Sequence, residues 1–93
     1  MPSVNVLFFA TVREATGVRS VEMEADTVGE LLEIMKKKFG KPFLDAVINP
    51  ESGKLKRFFS FMLNGKRIEL LEGYDTRLED GDRVALFPPI GGG

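Results

Sequence analysis

The stretch TVGELLEIMKKKFG, Thr27 to Gly40, decides the fold class. Thr27 and Glu30 stand in the Thr-x-x-Glu arrangement of a capping box, where two side chains satisfy the first free N–H groups of a helix. Val28, Leu31, Leu32, Met35 and Phe39 follow at helical spacing and define one apolar face. Lys36, Lys37 and Lys38 fall in the last turns, where positive charge suits the helix dipole, and read as a solvated face rather than a docking patch. Gly40 is expected to end the helix, and Pro42 to prevent its resumption.

On either side of this helix the period drops to two. Val4 to Phe9 is apolar on both faces and predicts a central strand covered on more than one side. Ala10 to Thr16 reads as a short helical turn stopped by Gly17. Val18 to Glu24 alternates, with Arg19, Val21 and Met23 on one face, and pairs with the first strand as a hairpin. Beyond the helix, Phe43 to Ile48 reads as a second short helix and Asn49 to Gly53 as a loop. Phe58 to Leu63 is a strand, turned by Asn64-Gly65 into Lys66-Arg67-Ile68. Tyr74 to Leu78 leads through the turn Glu79-Asp80-Gly81-Asp82 into a last strand, Arg83 to Phe87. Strands with one inserted helix predict an α+β domain, a sheet with the helix packed across one face.

The composition narrows the function. The 93 residues suffice for one domain, and 43% hydrophobic with 29% charged residues fits a folded, soluble chain. A net charge of −1 offers no field to attract nucleic acid or an acidic membrane. There is no cysteine and no histidine, so the usual thiolate nucleophile, general base and soft-metal ligands are missing. No apolar run approaches the ~20 residues of a membrane span, and the start lacks the pattern of a signal peptide. The expectation is a cytoplasmic chain that binds no metal or cofactor and has no self-contained active site.

The ending, FPPIGGG, supplies the chemistry that the side chains lack. Pro88 and Pro89 donate no ladder N–H and favour a stiff extended path, so the chain should leave the sheet at once. This divides the chain into a domain, 1–87, and a flexible tail, 88–93, ending in Gly92-Gly93. From Ile90 to Gly93 such a tail reaches about 13 Å and has almost no side-chain bulk. It fits a narrow channel in a partner and brings the terminal carboxylate into a buried site. ATP converts such a carboxylate to an acyl-adenylate, which a sulfur or nitrogen nucleophile attacks. A glycine there has no Cβ to crowd the carbonyl carbon. A run of glycines also fits a frayed end, and the two readings stay open on this ground alone.

The residues resemble a known family. LFFATVREATG, Leu7 to Gly17, and LEDGDRVALFPPIGGG, Leu78 to Gly93, are similar to the two ends of molybdopterin synthase small subunits, the MoaD family. Thr27 to Leu31 and Asn64-Gly65 also fit, so the resemblance spans essentially the whole chain. It implies a ubiquitin-like β-grasp fold, a mixed sheet with one main helix. It also implies a sulfur carrier that is not an enzyme on its own. Gly93 would bear a thiocarboxylate, and Gly92, with Gly91 beside it, would let the tail thread. An adenylating enzyme, MoeB-like, would use the ATP. A large subunit, MoaE-like, would take the sulfur to build the dithiolene of molybdopterin. The stretches Gly40 to Phe58 and Leu70 to Gly73 are longer than in the shortest members.

The resemblance further implies partner contacts at Phe87, Phe9 and Ile68. Strand alternation agrees for two of them: Phe87 points outward if Val84 and Leu86 meet the helix, and Phe9 lies opposite Val4, Val6 and Phe8. Ordinary packing in a satellite cluster is the other reading, and Arg13 reads as a solvated charge. The alternatives for the whole chain are a carrier serving thiamine, a tungsten cofactor or thiolated tRNA, and a ubiquitin-like modifier joined through Gly93 to lysines.

Overall fold

Alternation along the first strand sets the plan. In β1 (Ser3–Phe8), Val4, Val6 and Phe8 are buried while Ser3, Asn5 and Leu7 stay partly open. The structure, a computed structural model, describes residues 1–89. The chain continues through α1 (Thr11–Thr16), β2 (Ser20–Glu24), α2 (Val28–Val47), β3 (Ser60–Leu63), β4 (Lys66–Arg67) and β5 (Arg83–Phe87), with 3-10 turns at Ile68–Leu70 and Gly73–Asp75. Among the described residues the five strands form one sheet in the order β2-β1-β5-β3-β4. β1 and β5 run parallel, with Val6 opposite Val84 and Phe8 opposite Leu86, and the other neighbours are antiparallel.

One face of this mixed sheet holds the core. Val4, Val6, Phe8, Phe61, Leu63, Val84 and Leu86 point to the side that buries Val28, Leu31, Leu32 and Met35 of α2. Phe8 meets Phe39 edge-on at 5.4 Å between ring centroids. A sheet wrapped around one helix is the ubiquitin-like β-grasp, as the resemblance implied.

The helix boundaries depart from expectation at two points. Thr27 caps as read, its hydroxyl accepting the Glu30 N–H at 3.1 Å. The Glu30 carboxylate, however, accepts the N–H of Asp26 at 3.4 Å rather than that of Thr27. Gly40 breaks the helix with φ 67°, a value that glycine takes without strain. Yet the helix resumes directly after the kink, because Pro42 falls in the opening turn of the new segment, where no helical N–H is needed. Phe43 and Val47 of that segment extend the core.

The turn Asp80-Gly81-Asp82 fixes where β5 begins. The Asp80 carboxylate accepts the Ser3 N–H at 2.7 Å, and the Gly81 N–H donates to the Ser3 carbonyl at 2.9 Å. The Asp82 carboxylate accepts the Glu79 N–H at 2.8 Å and the Asn64 side-chain amide at 2.9 Å. Asn64 returns its own oxygen to the Arg83 N–H at 2.9 Å. Asn64 and Gly65 both have positive φ, which the tight β3–β4 hairpin requires. One turn thus ties the start of β1, the hairpin and the start of β5 together.

Tyr74 reports on the packing beneath the helix. It is the sole tyrosine in a chain without tryptophan. Its oxygen accepts the Leu55 N–H at 3.4 Å, and the Lys54 ammonium lies 4.9 Å above its ring. Burial pushes its pKa above the ordinary 10.0; the Leu55 hydrogen bond opposes this and the charge of Glu69 adds to it. The raised value means that the unfolded chain loses this proton first. The stabilisation is therefore intact below the ordinary value and is lost as pH rises through the folded one. In an alkaline titration the phenolate absorbance is expected to appear above pH 10.0, with stability falling over the same range. Tyr74→Phe is expected to flatten that fall; a phenolate forming at or below the ordinary value would contradict the burial.

Candidate functional site: the uncovered sheet face and the root of the tail

The parallel pairing of β1 with β5 carries past the last paired residues, so Phe9 and Phe87 become neighbours. Their rings stack at 4.5 Å between centroids, 8° from coplanar. Both are half-buried and lie on the sheet face opposite α2. Around them Leu7, Met62, Asn64, Gly65, Arg83 and Ala85 line an open depression of about 620 Å³. A smaller one of about 280 Å³ lies beside it, lined by Ser60, Met62, Arg67 and Phe87.

The backbone pins this pair in place. The Val12 N–H donates to the Phe9 carbonyl at 3.1 Å, and Arg13 Nε donates to the Phe8 carbonyl at 3.3 Å. Arg13 therefore holds the end of β1. Ala10 turns the chain away from the sheet at φ 51°, ψ −124°, a region that non-glycine residues rarely occupy. The strained residue sits directly after Phe9 and sends the chain down into α1, leaving the Phe9 ring on the open face.

A parallel strand pair is ordinarily covered on both sides. Here α2 covers one side, and the other presents stacked aromatics and aliphatic side chains among the described residues. The expectation that β1 is covered on more than one side is corrected: among the described residues only the α2 side is covered, and Leu7 stays partly open. Arg83 and Arg67 border the apolar centre, and both are exposed. The border is mixed in charge: Glu69 lies 3.8 Å from Arg67, and Glu22 stands in the same cross-strand row as Asn5 and Arg83. Pro88 and Pro89 follow Phe87 directly, so the chain leaves from this face's edge.

Of the residues singled out from sequence, Phe9 and Phe87 come together. Ile68 does not join them. It is 4% exposed and belongs to the core, because the chain leaves β4 after Arg67 and rolls into a 3-10 turn that swings Ile68 inward. Its reading as a partner contact is corrected on that ground. Gly91, Gly92 and Gly93, and with them most of the tail expected at 88–93, lie outside the described residues. Sequence reasoning passed over Met62 and Arg67. The signal was present in β3, where Phe61 and Leu63 point inward and leave Ser60 and Met62 outward. No group of three or more metal-ligating side chains occurs among the described residues, and none of their helices is long and apolar enough to cross a membrane.

A ubiquitin-like β-grasp domain with an uncovered apolar face at the root of its C-terminal segment defines the class. The chain belongs to the ThiS family, whose model matches residues 6–93. This is a family of small ubiquitin-like sulfur carriers and modifiers, and it includes molybdopterin synthase sulfur carrier subunits. Small archaeal modifier protein 3 of Haloferax volcanii is 35% identical, over 92% of this chain and 94% of its own length. The molybdopterin synthase sulfur carrier subunit of Escherichia coli is 32% identical, over 97% of this chain and 99% of its own. Among solved structures, small archaeal modifier protein 1 of Methanosarcina acetivorans superposes with a TM-score of 0.83 at 32% identity, covering 100% of this chain and 98% of that one.

If the open face serves a partner rather than the fold, adjacent residues of β5 should differ sharply. Leu86 is fully buried and Phe87 is not. Leu86→Ala is expected to destabilise by about 2–5 kcal/mol. Phe87→Ala is expected to cost less, about 1–2 kcal/mol, from the loss of a half-buried aromatic stack and the apolar area it covers. Urea unfolding measures both, and equal losses would assign the stack to the core.

Proposed function

We propose that the chain is the sulfur carrier subunit of molybdopterin synthase, bearing sulfur as a thiocarboxylate on Gly93. The observation that carries the reading is the Phe9–Phe87 stack at the root of the tail, an apolar docking face placed where the C-terminal segment leaves the sheet. The Escherichia coli relative, matched along nearly its whole length, supports the particular pathway.

The chemistry follows from the end of the chain. An adenylating partner of the MoeB type uses ATP, and the Gly93 carboxylate displaces pyrophosphate to give the acyl-adenylate. A sulfur nucleophile attacks the carbonyl carbon and AMP leaves, giving the thiocarboxylate. A large subunit of the MoaE type then admits Gly92 and Gly93 and supplies the catalytic side chains. There the thiocarboxylate sulfur bonds to the pterin precursor of the dithiolene, and water cleaves the acyl–sulfur bond to restore the Gly93 carboxylate. The carrier holds no metal or cofactor of its own, acts on neither nucleic acid nor membrane, and works in the cytoplasm. Gly91 lengthens the threading segment.

A second reading shares the first step. Relatives named as modifier proteins favour joining Gly93 to a lysine amine of another protein, with nitrogen as the attacking atom. Service to another sulfur pathway keeps the thiocarboxylate and changes the acceptor.

Intact mass after co-expression with an adenylating enzyme and a sulfur source tests the proposal. The expected result is a gain equal to one oxygen replaced by sulfur. Deletion of Gly92 and Gly93 should abolish the gain while the far-UV circular dichroism stays unchanged. No gain, with an adenylating enzyme competent on another carrier, would overturn the carrier reading. Lysine conjugates instead would select the modifier.

A further inference from the structure

One aromatic ring stands outside both the core and the Phe9–Phe87 face. Phe58 is 74% exposed, and its φ of 70° is a value that glycine or asparagine takes at the third position of a tight turn. The turn runs from Lys56 to Phe59 and is closed by the Phe59 N–H on the Lys56 carbonyl at 3.3 Å. A ring is held outward there although neither backbone nor burial favours one. Leu70 and Leu71, both exposed, add apolar surface in the loop that follows β4.

Beside the ring lies a hole large enough for one. Phe58 forms one wall of an open depression of about 420 Å³, whose other walls include Phe59, Phe61, Ile68 and Tyr74. A cavity of about 150 Å³ already holds benzene. Phe61 and Ile68 belong to the core, so the depression lies on the α2 side of the sheet, away from the Phe9–Phe87 face. Its rim carries both signs of charge. The Arg57 guanidinium lies 5.1 Å over the Phe58 ring and forms no ion pair among the described residues. Glu69, from the turn after β4, is exposed and reaches only Arg67, at 3.8 Å. The other cations nearby are engaged: Lys56 Nζ donates to the Asp45 carbonyl at 2.6 Å, and Lys54 covers Tyr74.

A partner surface of one charge would meet a like charge at this rim. The surface that matches a knob beside a hole, edged by one cation and one anion, is the same surface turned through a two-fold axis. We propose that a second copy of this chain occupies the depression, forming a symmetric dimer. Each Phe58 ring enters the aromatic depression of the other copy, and each Arg57 pairs with Glu69 of the other copy. The turn holds the ring outward before contact, so little side-chain freedom is lost on docking. An interface centred on one ring per copy is small, and the dimer is correspondingly weak. Both Phe9–Phe87 faces stay uncovered in it.

Sedimentation of the full chain over the range from about 10 µM to about 1 mM is the test. The expected result is a concentration-dependent shift from monomer to dimer, weakened about tenfold or more by Phe58→Gly. That variant also relieves the backbone and is expected to melt no lower than the parent, which separates association from folding. Arg57→Glu and Glu69→Arg should each weaken the dimer, because like charges then face each other across the axis. Mixing these two variants should restore association, since every pair between the copies is then opposite in charge. A pairing within one chain, or a foreign occupant, gives no such rescue. A parent that stays monomeric throughout the range, or a dimer unchanged in Phe58→Gly, would overturn the second copy as occupant. Mixed variants that fail to associate would overturn the Arg57–Glu69 pairing.

Discussion

The parallel pairing of β1 with β5 is the constraint on which the rest depends. It joins the first strand to the last and sets Val6 against Val84 and Phe8 against Leu86 in the core. Because side chains alternate along a strand, the same register must set Phe9 beside Phe87 on the other side. A slip of one residue would exchange the two faces, burying Arg83 and Ala85 against α2 and exposing Val84 and Leu86. Core and open apolar face are thus two consequences of one register. The turn Asp80-Gly81-Asp82 guards it by binding Ser3 and Asn64 at once. The acidic turn read from the sequence is a clasp on the strand ends.

Under the proposed carrier function, this arrangement accounts for group transfer by a chain without cysteine or histidine. The fold's task is to display one end of the backbone beside a surface that a partner recognises. Strain is placed at the margin of that face, where Ala10 turns the chain after Phe9.

Much of this was legible in the sequence. The helix from Thr27, the Asn64-Gly65 hairpin and the span of β5 followed from periodicity and turn chemistry. So did the outward aspect of Phe9 and Phe87, because alternation is a local property. What failed was set by distant contacts. Ile68 reads as the end of a strand, yet the chain rolls inward there because the core needs its side chain. Pro42 reads as a barrier, but the kink at Gly40 gives it a first-turn position. β3 reads from Phe58 and starts at Ser60, since the positive φ of Phe58 ends the extended run. A Cβ at Gly29 would lie 3.1 Å from the Tyr74 carbonyl oxygen, a close approach that no local pattern reveals. The resemblance to a carrier family held at the level of family, while the pathway rests on chemistry beyond the domain.

Chemical-shift mapping of the isotopically labelled chain, with and without the adenylating enzyme, tests most directly that the uncovered face is the docking face. Perturbations are expected at Leu7, Phe9, Met62, Arg83 and Phe87, with the exposed side of α2 around Lys37 and Lys41 unaffected. Perturbations centred on α2, with the Phe9–Phe87 face silent, would contradict the account.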